Sequence, residues 1–119
     1  MISHTDVSED MRCITISGRL DILGTEEIAQ EFTELSASNK RCIIVDLSEL
    51  TVLASIGIRA LISNGKALQK KGGRMVLVVG NNAIVTKTLE TTGISVLLKM
   101  FKTLPEAEGS LLECLAPMD

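Results

Sequence analysis

Polar and apolar positions follow two rhythms along this chain. Over Arg12-Cys13-Ile14-Thr15-Ile16-Ser17-Gly18 they alternate, which predicts a half-buried strand. Met1 to Val7 predicts a short edge strand before it, joined through a turn at Ser8-Glu9-Asp10. Cys42-Ile43-Ile44-Val45 and Met75-Val76-Leu77-Val78-Val79 are unbroken apolar runs, as in strands covered on both faces. Elsewhere the spacing lengthens to that of a helix. Ile28, Phe32 and Leu35 define one apolar face; Ile58, Leu61, Ile62 and Leu68 a second; Ile84, Val85, Thr88 and Leu89 a third.

Start and stop signals bound these elements. Gly18-Arg19-Leu20-Asp21 leaves the second strand, and Gly24 and Thr25 lead into a helix from about Glu26 to Ala37. Glu26 and Glu27 suit the positive end of that helix. A short loop after Asp46 leads to the helix that begins beside Ser55 and ends in Lys70-Lys71-Gly72-Gly73, basic residues followed by a glycine stop. The third helix runs from about Ala83 to Thr91 and stops at Gly93. Lys99-Met100-Phe101 predicts a short last strand, and Thr103 to Leu115 a closing helix that Gly109 weakens by ~1 kcal/mol. The order β-β-α-β-α-β-α-β-α defines an α/β fold with a mixed, mostly parallel β-sheet and helices packed on it. With 119 residues, no internal repeat and no linker, residues 1–119 are expected to form a single domain.

Composition removes several function classes. Hydrophobic residues make up 45% of the chain, enough for a core, yet there are two Phe and no Trp or Tyr. The core is therefore aliphatic, and the stacking rings that bind single-stranded nucleic acid are missing. Ring-lined ligand pockets, and a small-ligand sensor built on them, find no support either. A net charge of −3 leaves no basic footprint for nucleic acid or anionic membranes. Cys13, Cys42 and Cys114 are odd in number and form no CxxC pair, which predicts reduced structural thiols. His4 is the only histidine, so no metal site is expected. No basic segment followed by an apolar stretch opens the chain, and no apolar run approaches the ~20 residues of a membrane helix. A cytoplasmic protein without membrane insertion is expected.

Catalysis needs convergent groups, and few are present. There is no Gly-x-Ser-x-Gly elbow, Walker loop or GxGxxG, so neither an enzyme nor a cofactor is expected. Asp21 and Asp46 fall at strand ends, where α/β proteins place functional groups. Such carboxylates can bind a cation or act as acid and base; they also cap helices and fix loops. Ser55 has two readings as well. It can be an ordinary helix N-cap, or a phosphate acceptor at a helix terminus whose unpartnered N–H groups and dipole stabilise negative charge.

Taken together, Gly18-Arg19-Leu20-Asp21, Asp46-Leu47-Ser48, Ser55-x-Gly57-Ile58 and Leu89-Glu90-x-Thr92-Gly93-Ile94 resemble the STAS domain, specifically bacterial anti-sigma factor antagonists. The resemblance spans nearly the whole chain. It implies a partner switch in which the unphosphorylated antagonist binds a GHKL-type serine kinase, itself the anti-sigma factor, and frees a sigma factor. Phosphorylation by that kinase reverses the step, and a metal-dependent phosphatase of the PP2C type resets it. The acceptor implied is Ser55, and the partner-binding positions implied are Asp21, Gly24, Thr25, Ser48, Ala54, Ile56, Gly57 and Arg59. The family pattern Asp-Ser-Ser/Thr-Gly reads here Ala54-Ser55-Ile56-Gly57, so Ser55 is the one hydroxyl in the motif. Ile56 either adds apolar area to an interface or packs on the core. The same surface also suits an antagonist of a different target, controlling secretion, motility or a transporter ATPase. A receiver domain is excluded, because the acidic pair after its first strand is missing.

Overall fold

The computed structural model describes residues 1–37 and 39–115, with side chains through residue 112. Five strands form the main sheet: β1 (Ile2–Asp6), β2 (Met11–Ile16), β4 (Cys42–Asp46), β6 (Arg74–Val78) and β7 (Met100–Phe101), in the spatial order β1-β2-β4-β6-β7. β1 pairs antiparallel with β2, and every later pair is parallel. Four α-helices accompany the sheet among the described residues: α1 (Ile22–Ser36), α2 (Ser55–Lys70), α3 (Ala83–Thr92) and α4 (Leu104–Leu115).

Because strand side chains alternate between faces, each central strand feeds two cores. Ile14, Ile16, Ile43, Val45, Met75 and Leu77 point into a layer with Phe32 of α1, Leu61 of α2 and Leu89 of α3. Cys13, Cys42, Ile44, Val76 and Val78 point the other way, onto Ala107 and Leu111 of α4. That two-sided burial is why the runs at Cys42 and Met75 show no polar alternation. Truncating a fully buried residue such as Leu61 to Ala would cost about 2–5 kcal/mol. Cys13 and Cys42 are buried as small apolar residues, and burial, first of all, pushes the Cys13 thiol pKa up. The Cys114 side chain lies outside the described residues.

The predicted order is present, with two short strands added. Gly18–Leu20 is a strand, β3, and Leu50–Leu53, expected as loop, is β5; together they form a separate parallel pair. Three and four residues are too few for a periodicity signal. Helix α1 also starts earlier than Glu26, at Ile22, because Asp21 caps it. Glu26 and Glu27 therefore fall outside the first turn. In α3 the buried face is Val85 and Leu89, one turn apart, whereas Ile84 is 62% exposed. Adjacent residues lie about 100° apart on a helix, so Ile84 cannot share the face that Val85 commits to the core. Gly93 ends α3 at φ 72°, the left-handed conformation predicted for its stop.

Candidate functional site

The small β3–β5 pair determines the geometry of the site. Its strands run side by side, with Leu20 opposite Leu53, and each is followed at once by a helix. The amide N–H of Ala54 donates to the carbonyl of Leu20 at 3.0 Å, which ties the two exits together. The N-terminus of α1 and the N-terminus of α2 are thus neighbours. Two glycines permit this closeness. A Cβ on Gly57 would lie 2.8 Å from the Leu20 side chain, and one on Gly24 would overlap the Arg19 carbonyl oxygen.

The two helix starts differ in chemistry. At α1 the Asp21 carboxylate accepts from the Gly24 N–H at 2.9 Å and from Arg19 Nε at 3.0 Å. The Gly24 N–H first, and then Arg19, hold the Asp21 carboxyl below the usual carboxylate range. At α2 the capping position is Ala54, which offers no side-chain hydrogen bond. Ser55 is the first helical residue and is exposed. The reading of Ser55 as an N-cap is therefore corrected: a capping residue has non-helical backbone, and here that residue is Ala54 with ψ 167°. Its carbonyl already accepts from Gly57 and Ile58, so the Ser55 and Ile56 N–H groups precede the first intrahelical acceptor.

The remaining predicted positions sort by geometry. Ile56 is half-buried, and Arg59 is exposed one turn beyond Ser55, on the same helix face. Gly24 and Gly57 shape the junction and present no side chain. Thr25 is only 4% exposed and its hydroxyl has no partner, so it packs inside and does not face a docking protein. Ser48 is not brought to this site. It sits before β5, an extended strand spanning about 10 Å, at the opposite end from the start of α2. There its amide and hydroxyl both bond Asp46 Oδ1, at 3.0 and 2.7 Å. Asn82 holds the same loop, donating to the carbonyls of Ser48 and Leu50 at 3.1 and 2.7 Å. Asp46 and Ser48 are thus a loop lock, the structural alternative open to Asp46 in the sequence.

Sequence reasoning missed three members of this surface. Arg19 is the ion-pair partner of Asp21. Ile22 and Leu23, 61% and 76% exposed, form an apolar step beside it on the first turn of α1. An aspartate directly before an apolar pair is an N-cap signal that could have placed the helix start here. Next to them a groove of about 380 Å³ runs between Arg19, Asp21, Leu23 and Glu27. Ser55 does not line it. Among the described residues the Ser55 hydroxyl bonds no base, and His4 lies exposed on the edge strand β1. No group of three or more potential metal ligands exists among the described residues. No helix among them is long and apolar enough to cross a membrane.

A fold in which two parallel strand exits present paired helix N-termini, one of them opening on an exposed serine, has known relatives. Residues 4–107 match the model of the STAS domain, and the chain belongs to that family. It is similar to the anti-sigma-F factor antagonist RsfB of Mycobacterium tuberculosis (strain ATCC 25618 / H37Rv), with 25% identity over 96 residues, 79% of this chain and 75% of that one. A crystal structure of an anti-sigma factor antagonist from Mycobacterium paratuberculosis superposes with a TM-score of 0.85 at 19% identity, covering 94% of this chain and 93% of that one. The antagonist SpoIIAA in its unphosphorylated form gives 0.77 at 19% identity, covering 95% and 97%. The Bacillus SpoIIAA in the phosphorylated form gives 0.69 at 19% identity, covering 93% and 99%.

Proposed function

We propose that this protein is an anti-sigma factor antagonist that acts in the cytoplasm by partner switching, with Ser55 as its phosphorylation site. The observation that carries the reading is the exposed, uncapped start of α2. Ser55 stands where a phosphate gains from free N–H groups and the helix dipole, and no neighbouring base makes it a catalyst. It is a substrate for another enzyme's chemistry. The relatives named as anti-sigma factor antagonists support the regulatory role.

In the unmodified state Ser55, Ile56, Arg59 and the apolar step at Ile22–Leu23 offer a mixed surface to a GHKL-type serine kinase that is also the anti-sigma factor. Occupying the kinase frees the sigma factor. Transfer of the ATP γ-phosphoryl group to Ser55 adds about −1.5 to −2 charges to that surface. Within a packed interface, this charge brings desolvation cost and repulsion from partner carboxylates, and the complex separates. A PP2C-type phosphatase then restores the hydroxyl. ATP and metal belong to these partners.

Isolation from native cells with co-purifying partners, followed by phosphosite mapping, tests the assignment. The expected result is phosphate on Ser55 together with a GHKL-type kinase, and no incorporation into Ser55→Ala by that kinase. Equal labelling of Ser55→Ala would move the site elsewhere. A transporter ATPase as the stable partner, with Ser55 unmodified throughout growth, would replace the switch by a docking role.

A further inference from the structure

At the pole opposite Ser55, the far end of α2 and the turn at Ile94–Lys99 enclose a second concavity of about 410 Å³. Its size lies within the roughly 300–1,000 Å³ of small-molecule sites. The walls are built by glycines. Gly65 is bare because Leu98 rests against it; a Cβ there would lie 2.7 Å from Leu98. That contact seats the turn on α2. Gly73 is bare because a Cβ would lie 2.5 Å from the Arg41 carbonyl. Gly72, with φ 85° and open space where a side chain would stand, presents naked backbone to the cavity.

The charge at this cavity runs against that of the chain. Arg74 and Lys99 line it, both exposed and neither in an ion pair among the described residues, and no carboxylate lines it. Lys70 and Lys71 adjoin the lining residues Gln69 and Gly72. Two carbonyls of the last turn of α2 are occupied: Leu68 accepts from Lys71 and Gly73, and Gln69 from Gly72. The negative helix end is therefore partly neutralised. Gln69 and Ser95 add polar groups, while Val96 and Leu97 supply exposed apolar surface. A protein with a net charge of −3 thus gathers, around one concave, part-apolar space, cations that form no ion pair among the described residues.

We propose that this cavity binds a small organic phosphate. Arg74 and Lys99 hold the phosphoryl group, the guanidinium supplying directed donors and the ammonium a point charge. The carbon skeleton lies against Val96 and Leu97. The site lies at the opposite end of α2 from Ser55, so a ligand there and a phosphate on Ser55 occupy the protein independently.

Titration of the isotopically labelled full chain with glycerol 3-phosphate tests this by amide chemical shifts, with glycerol at matched ionic strength as the control. Saturable shifts are expected at Gln69, Gly72–Arg74 and Ser95–Lys99, with glycerol silent. The double variant Arg74→Gln/Lys99→Gln should weaken binding at least about tenfold. Lys87→Gln/Lys102→Gln, which removes the same charge beside a different concavity, should leave it unchanged. Both pairs are exposed, so folding is preserved, and the amide spectrum of each variant checks this. No saturable shift, or equal weakening in the two double variants, would overturn the proposal.

Discussion

Helices α1 and α2 leave the same two-stranded element side by side, yet one start is closed and the other open. At α1 a carboxylate occupies the helix terminus, held by the Gly24 N–H and by Arg19. At α2 an alanine stands in the equivalent place and the next residue is an exposed serine. Two nearly equivalent backbone geometries therefore have different electrostatic fates. The α1 terminus already carries its negative charge; the α2 terminus has room for one that arrives later. The family pattern carries an aspartate at this position, so the open terminus sets this chain apart: Ala54 makes no side-chain claim on the N–H groups beside Ser55.

Four changes break or sharpen the comparison. The largest effect is expected from Gly24→Ala. A methyl group there overlaps the Arg19 carbonyl, so the closed terminus cannot form, and urea unfolding should show a loss of more than about 3 kcal/mol. Gly57→Ala meets only the Leu20 side chain and carbonyl edge, at 2.8 and 3.0 Å. Its cost should be about 1–3 kcal/mol by the same measurement, with α2 displaced from β3. Ala54→Asp closes the open terminus. It should stabilise the protein by about 1 kcal/mol in the same measurement, and because it restores the residue of the family pattern, Ser55 should still accept phosphate. A loss of stability in Ala54→Asp would show that the start of α2 is not an open cap.

Asp21→Ala gives the smallest effect, and pH separates it from a packing loss. The Asp21 carboxyl has its pKa lowered in the folded state. Its contribution is therefore present above the unfolded-state pKa, near pH 4, and is lost as pH falls through the lower folded value. The melting temperatures of parent and variant should differ at neutral pH and converge as the solution becomes more acidic. A difference that persists through strong acid would show that Asp21 acts by packing.

How much was legible in the sequence follows from the length and burial of each element. The strands at Cys42 and Met75 read clearly because both faces are buried, and α2 because its apolar spacing is regular over sixteen residues. β3 and β5 did not, since three and four residues carry no period and their pairing depends on contacts about thirty positions apart. The start of α1 was hidden by Gly24, which signals a loop in sequence but here is a close approach of helix to backbone. At the site, Ser55, Ile56, Gly57 and Asp21 were readable from their motifs. Ile22 and Leu23 were not, because sequence cannot tell an apolar pair that faces solvent from one that packs inside. Ser48 and Thr25 share motifs with the site, but hydrogen bonding and burial commit them elsewhere.

The central claim is that charge placed on the open terminus of α2 releases the partner. Its most direct test is a calorimetric comparison of two forms of the full chain, one unmodified and one with phosphoserine installed at position 55 during translation. Both are titrated into the purified kinase partner without ATP. The account predicts that the phosphoserine form binds more than about a hundredfold more weakly, a loss of roughly 3 kcal/mol, with its fold unchanged. Equal affinity of the two forms would contradict it.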